Sequence, residues 1–577
     1  MSRLAYSTTP SYSTLLGIEL GNEKDKKFDP SRRQFITTIG TAIVAIGIGY
    51  AIGYLTKPAE VVEKAIERTV TVTRTVTATG TPTPTPTPTT PIPGLSEVAV
   101  RAINGVKDLI ERGVVPRGAT LRILHVSGSK AQLEKAIELW SKYVPEIKVE
   151  LVTMGTEPDV YSKSMSEAVT KTGQYDIITI FSTWLGDTVE AGLAKDITEY
   201  FNKYDPGYVG ACAPIEPLGS YTTLYKGRRY ALTLDSDVFT LTYRKDLIND
   251  PKYKEEFRSI YGYDLKVPDT WEEVIDIARF FTEKRLTSPS GGRVWGAYFY
   301  VEPAFAAYIT FTNIFLEAGG IYFDLETMDP KIDSPEGRYA FDILLKLKPY
   351  MPPEAISASW ADLYDKFIKG ESVLTAAWPS LTKMAISSPD SVVRDKTGTA
   401  LMPGVRLEIG GKPTIVRAAP NPVNWVGIVN SYGKYPEAAY LFLQFMTAPD
   451  IGLEVILSGV ILDLFRLCWF TDPAYRGKSI QGYGEEFVDA YMEALKISYP
   501  DFIIRGGPEY AGKLTTAVNA VVSGTMDPET ALSSVAAEWD SITKRYGVSE
   551  QLEAWRALAK LFPDPVQQAW KAKGYIK

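Results

Sequence analysis

Residues 175–201 read YDIITIFSTWLGDTVEAGLAKDITEYF. The run 175–181 is short, apolar and β-branched, and a polar stretch follows it, which is the signature of a buried strand. Two such runs precede it, LRILHVSG (121–128) and KVELVTMG (148–155), and residues 130–143 and 160–172 carry apolar side chains at helical spacing. Alternating β and α segments predict an α/β sheet with helices on both faces. Ligands of such sheets bind beyond the carboxyl ends of the strands. Ser182, Thr183, Trp184 and Asp187 follow the third strand directly, and Trp184 and Asp187 are therefore candidate solute contacts.

Further along, TWEE at 270–273 is a capping box, and Ser334-Pro335-Glu336 and Asp527-Pro528-Glu529 each place an N-cap residue before a proline at the first helical position. From Glu485 onward the pattern is mostly helical, and the chain holds no internal repeat. At 577 residues it is too long for one core, since domains run to roughly 100–200 residues. At least two lobes follow.

Composition narrows the class. Apolar residues make up 45% and charged residues 23%, as in a folded soluble protein, and the net charge of −7 comes with no basic, aromatic-interleaved run to track a phosphate backbone. Nucleic acid is excluded as a partner. The single histidine, His125, lies in LRILHVSG and reads as a strand-end residue; a multi-histidine metal site or a histidine triad lacks its partners. Cys212 and Cys468 form neither a disulfide framework nor a CxxC motif, and their spacing leaves pairing open. No cofactor is required.

The N-terminal segment sends the chain that follows Leu55 outward across a membrane. Residues 31–36 read SRRQFI, which resembles a twin-arginine export signal, and 35–55 give 21 residues without a charge. At ~1.5 Å per residue that run crosses a ~30 Å hydrocarbon core. Arg32 and Arg33 place 1–34 in the cytoplasm by the positive-inside tendency. The apolar run is long for a signal peptide and lacks a good cleavage site, which favours a retained transmembrane anchor over a cleaved signal. Residues 56–94 contain the tract TVTVTRTVTATGTPTPTPTPTTPIP, an extended, disordered stalk that cannot bury a core.

From 121 to 540 the segments form an ordered series: VELVTMG, the 175–201 stretch, RRYALTLDSDVFTLTYRKDLI (228–248), PDTWEEVIDIARFF (268–281) and WGAYFYVEPAFAAYITFTNIFLEAGGIYF (295–323). KIDSPEGRYAFDILLKL (331–347), FIKGESVLTAAWPS (367–380), NWVGIVNSYGKYPEAAYLFLQFMTAPD (424–450) and VVSGTMDPETALSSVAAEWD (521–540) complete it. The series resembles the extracytoplasmic solute-binding proteins of ABC transporters, in particular the carbohydrate-binding, maltose/maltodextrin-binding-protein-like family. That resemblance implies an α/β, two-lobed periplasmic-binding-protein-like fold of type II, with hinge strands crossing near 241–243, near 425–429 and before the C-terminal helices. Lobe 1 would comprise 118–241 plus about 427–490, and lobe 2 242–426 plus about 491–577. It also implies a monomer on the outer face of the membrane that passes a small-molecule solute, a sugar, to permease subunits.

Sugar recognition needs flat apolar surfaces for ring C–H faces and planar polar groups for hydroxyls. By family position, Trp184 and Asp187 follow a contact strand, and Glu302 and Phe305 in VEPAF offer a carboxylate and an aromatic. Ala304 stands where the maltodextrin proteins have a second aromatic, a departure that bears on maltodextrin as the solute. Trp378 in AAWPS matches a stacking aromatic, Trp425 lies at the second crossing, and Asp235 and Asp237 precede the first. The acidic cluster Asp324, Glu326, Asp329 and Asp333 lacks the glycine and terminal glutamate of a calcium loop and reads as solvated. The competing class is a membrane-tethered glycosidase built on two carboxylates, although no GxSxG, HExxH or phosphate-loop motif is present in the soluble part. The extension beyond Asp540 is longer than the resemblance leads one to expect, and the resemblance gives it no role.

Overall fold

The computed structural model describes residues 91–303 and 306–577. The twin-arginine-like motif, the anchor at 35–55 and the stalk up to residue 90 lie outside the described residues, as do Ala304 and Phe305. Among the described residues no single helix is long and apolar enough to cross a membrane.

Two sheets organise the chain, as the alternation of segments predicts. The first has five strands in the order Lys148–Met154, Thr120–Val126, Ile177–Phe181, Trp425–Val429 and Ala231–Thr233. The three N-terminal strands pair in parallel, whereas Trp425–Val429 runs antiparallel to both of its neighbours. Every residue of Trp425–Val429 is buried, which explains why it reads as continuously apolar rather than alternating. The second sheet has the order Thr397–Ala400, Thr240–Arg244, Ser372–Ala377 and Trp295–Tyr298, with only the last pairing parallel.

The chain passes three times between these sheets. The first passage is 234–239, between Ala231–Thr233 and Thr240–Arg244; the second is 418–424, ahead of Trp425. The third includes Ser498–Pro500, which pairs in parallel with Ala419–Asn421 of the second. Leu234 N–H donates to Trp425 O at 3.0 Å and Phe239 N–H to Pro420 O at 3.0 Å, so the first and second passages are bonded side by side. Two α/β lobes linked by paired strands result.

Local signals behave as read. Ser334 Oγ accepts Gly337 N–H, and Asp527 Oδ1 accepts Thr530 N–H at 2.9 Å, each with proline in the first turn. Thr270 Oγ1 accepts Glu273 N–H, but the Glu273 carboxylate reaches back to Asp269 N–H at 2.7 Å, one residue earlier than a strict capping box would place it. The acidic loop Asp324–Asp333 is a set of turns, with Asp324 Oδ1 accepting the N–H groups of Glu326 and Thr327. Cys212 and Cys468 form a disulfide, Cα to Cα 4.6 Å, across 256 residues of sequence. It fastens the loop after helix Thr198–Tyr204 to the short helix Cys468–Thr471.

Candidate functional site

The carboxyl end of the first sheet carries a wall of rings. Phe181, the last residue of its strand, sits 4.5 Å from Trp425 and 4.8 Å from Trp184, centroid to centroid, and Tyr161 meets Trp184 edge-on at 5.1 Å. The pairing register makes this possible, because Trp425 lies opposite Phe181 across the antiparallel ladder. His125 meets Trp425 edge-on at 5.1 Å. Its Nδ1 lies 2.6 Å from Thr179 Oγ1, which itself donates to Leu124 O, and Ser129 Oγ lies 2.8 Å from its Nε2. Both ring nitrogens are thus hydrogen-bonded within the first lobe. Burial pushes the His125 pKa down to about 4, so the ring is neutral near pH 7.

The second lobe offers its own ring surface. Trp378 follows strand Ser372–Ala377 and opens helix Pro379–Ser387; it meets Phe239 edge-on at 4.7 Å and Tyr300 at 5.3 Å. Phe239 belongs to the first passage, so this ring group continues directly into the crossing. Trp184, Trp378 and Trp425 are only 3%, 6% and 3% exposed, burial that packing alone or a closed solute site would equally produce.

Between the rings lies a carboxylate cluster at the first passage. Asp235, Asp237 and Asp463 each place one oxygen within 4.8 Å of the others, and all three are buried. Asp235 Oδ1 accepts the N–H groups of Ser236 and Asp463, both at 2.7 Å. Asp463 Oδ1 accepts the Tyr483 hydroxyl at 2.7 Å and pairs with the Lys383 ammonium at 3.0 Å. Lys383 also donates to Leu462 O at 2.6 Å and stands 4.8 Å over the Tyr483 ring. Asp463 Oδ2 is buried and receives no hydrogen bond from the described residues, whereas the Asp235 and Asp237 side chains are hydrogen-bonded to each other. Three carboxylates therefore face one ammonium. Burial, reinforced by the mutual charge of the group, pushes Asp235 and Asp237 upward; burial also raises Asp463, against the opposing pull of Lys383. Oxygens in this arrangement can accept hydroxyl hydrogen bonds, and they are the described group whose spacing would admit a hard cation.

The remaining predicted contacts are bound differently. Asp187 spends one oxygen on Gly506 N–H at 2.7 Å and the other on the Tyr161 hydroxyl at 3.0 Å, so its carboxylate ties the first lobe to the start of helix Gly507–Ser523. Burial pushes its pKa up to about 6. Glu302 Oε1 accepts Ala306 N–H at 3.1 Å, at the entry to helix Ala307–Glu317. Thus the structure brings Trp184 together with Trp425, and Asp235 with Asp237, and places Trp378 beside the crossing. Sequence reasoning missed Phe181, Tyr300, Lys383, Asp463 and Tyr483. Asp463 had a visible signal, a lone carboxylate in the apolar run VILDLFRL, whereas Lys383 in LTKMAI had none beyond its isolation.

Comparison with known proteins agrees with this architecture. A "Probable amino-acid ABC transporter periplasmic-binding protein" of Sinorhizobium fredii is 25% identical over 284 residues, 48% of this chain and 58% of its own. The maltotriose-binding protein of Pyrococcus abyssi is 22% identical over 328 residues, 54% of this chain and 59% of its own. The chain thus matches somewhat under three fifths of the length of these curated relatives. Maltose-bound MalE3 of T. maritima superposes with a TM-score of 0.60 at 20% identity, covering 74% of this chain and all of that one, which fixes the fold as the mixed α/β, two-lobed type. Residues 127–452 match the bacterial extracellular solute-binding protein model, and with more than half of its length in that match the chain belongs to the bacterial extracellular solute-binding protein family.

Proposed function

We propose that this chain captures a carbohydrate between its two lobes and hands it to the permease of an ABC transporter, working on the outer face of a membrane to which its N-terminal segment tethers it. One observation carries the reading: a buried group of three carboxyl side chains lies at the crossing, adjoined by the Trp378 ring group, while Trp184 and Trp425 line the carboxyl end of the first sheet. Rings of this kind pack against the C–H faces of a sugar, and carboxylates take its hydroxyls. The maltotriose-binding relative and the maltose-bound neighbour support a sugar as the solute. Trp184, Trp378 and Trp425 would stack, and Asp235 and Asp237 would accept hydroxyl hydrogen bonds. Asp187, Glu302 and Phe305 would complete the walls, the first two through the backbone amides they hold. The receptor acts as a monomer and needs no cofactor.

Calorimetric titration of the full chain with maltotriose, other oligosaccharides and polyols tests this. The expected result is saturable binding, a raised melting temperature and chemically intact sugar on recovery. Trp378→Ala should weaken binding while leaving most of the fold's stability. Absence of binding across the panel overturns the reading, and recovery of cleaved sugar replaces it with a glycosidase.

A further inference from the structure

The C-terminal extension, unclaimed by the sequence resemblance, touches both lobes. Its helices Val548–Ala559 and Asp564–Ala572 are seated on the second lobe by two buried indoles: Trp555 Nε1–H donates to Phe323 O at 2.9 Å and Trp570 Nε1–H to Gly320 O at 2.6 Å. Lys573 pairs with Glu336 at 2.7 Å on the same side. From that seat the extension reaches the other lobe. Glu553 pairs at 3.3 Å with Lys226, at the tip of the hairpin Leu224–Tyr225 and Arg228–Arg229, and Lys226 pairs in turn with Glu190 at 3.0 Å. Tyr225 donates its hydroxyl to the same Glu190 at 3.0 Å.

A second set of contacts lies at the third passage. Gln551 donates to Arg505 O at 2.9 Å, and the Arg505 guanidinium stands 4.6 Å over the Tyr546 ring. That ring fills the space beside Gly506, where a Cβ would come within 2.5 Å of it. Gly506 N–H is the group held by Asp187 of the first lobe, and Gly186 packs so tightly on Ile504 that a Cβ would lie 2.4 Å from its carbonyl carbon. The extension therefore covers from outside the turn that the first lobe grips from within.

We propose that the extension is an interlobe clasp: seated on the second lobe, it holds the third passage and, through Glu553, Lys226 and Glu190, the first lobe, and it sets how readily the two lobes move apart. Because Glu553 is largely exposed and Lys226 only partly buried, the charged arm is adjustable by salt and is not a rigid weld.

Hydrogen exchange of the full chain without solute tests the clasp independently of what the cleft binds. Glu553→Lys should speed exchange in peptides covering 224–229 and 501–507 by about two- to fivefold, the range an exposed ion pair commands, with Glu553→Gln intermediate. In a Lys226→Met background Glu553→Lys should add nothing, since the partner is gone, and about 0.5 M salt should erase the difference between Glu553→Gln and the parent. If Glu553→Lys leaves 224–229 and 501–507 unchanged while 548–572 stays protected, the extension is a passive cover of the second lobe and the proposal fails. Equal effects of Glu553→Lys with and without Lys226 overturn it as well.

Discussion

Replacing Lys383 by methionine keeps roughly the length of the side chain and removes the one ammonium among the described residues that pairs with the carboxylate cluster. In the parent that ammonium lies 3.0 Å from Asp463 Oδ1 and otherwise donates to the carbonyls of Leu462, Val460 and Gly459, with both partners of the pair at 6% side-chain exposure or less. Removing one member of a buried pair costs about 3–5 kcal/mol, because the other charge is left uncompensated in a poorly polarisable interior. The folded state can recover part of that by binding a proton. Asp235, Asp237 and Asp463 have folded pKa values already raised above the ordinary carboxylate range. Stability from such groups is fully present below their unfolded pKa, near 4, and is lost as pH rises through the folded values. The loss in Lys383→Met should therefore be largest near pH 7 to 8 and shrink steadily toward pH 5. Urea unfolding of parent and variant across that range, followed by tryptophan fluorescence, measures it. The double variant Lys383→Met, Asp463→Asn should lose less than the single one at pH 7. A loss under about 1 kcal/mol at pH 7, or one that grows on acidification, would refute the account of the cluster as under-compensated negative charge.

His125 should act with the opposite sign. Its folded pKa is lowered from 6.5 to about 4, so its contribution is present above pH 6.5 and is lost as pH falls toward 4; His125→Gln should flatten that arm of the stability curve, worth about 3 kcal/mol at most. Reducing the Cys212–Cys468 bridge should lower the unfolding midpoint by about 2–5 kcal/mol equivalents, as for other native disulfides, with a Cys212→Ala, Cys468→Ala chain insensitive to dithiothreitol as the control. Trp425→Ala should cost about 3–5 kcal/mol, since it empties the space between Phe181 and His125, while Trp425→Phe should recover most of it in thermal unfolding.

The parts of the fold legible in the sequence are those governed by neighbours in the chain. The parallel strands Thr120–Val126, Lys148–Met154 and Ile177–Phe181 announce themselves as apolar runs separated by amphipathic helices, and Ser334, Thr270 and Asp527 cap helices that begin within three residues of them. The placement of two aromatic candidates was legible for a related reason: a residue that follows a strand is placed by it, so Trp184 and Trp378 come just after the carboxyl ends of Ile177–Phe181 and Ser372–Ala377.

What a carboxylate does could not be read in the same way. Asp187 and Asp235 look alike in sequence, each an acid just past a strand. Their roles diverge because Asp187 meets the N–H of Gly506, 319 residues later, and spends both oxygens across the lobes, whereas Asp235 takes the amides of Ser236 and Asp463 on one oxygen and shares a side-chain hydrogen bond with its neighbour Asp237. Distance in sequence hides Lys383 as well, since its charge acquires meaning only when the 459–463 loop is folded against it. A buried acid is therefore a candidate for binding in proportion to the lone pairs its own fold leaves unclaimed. By that measure the crossing, where Asp463 Oδ2 is unclaimed among the described residues and Lys383 pairs with Asp463, is where a hydroxyl-rich solute would gain most.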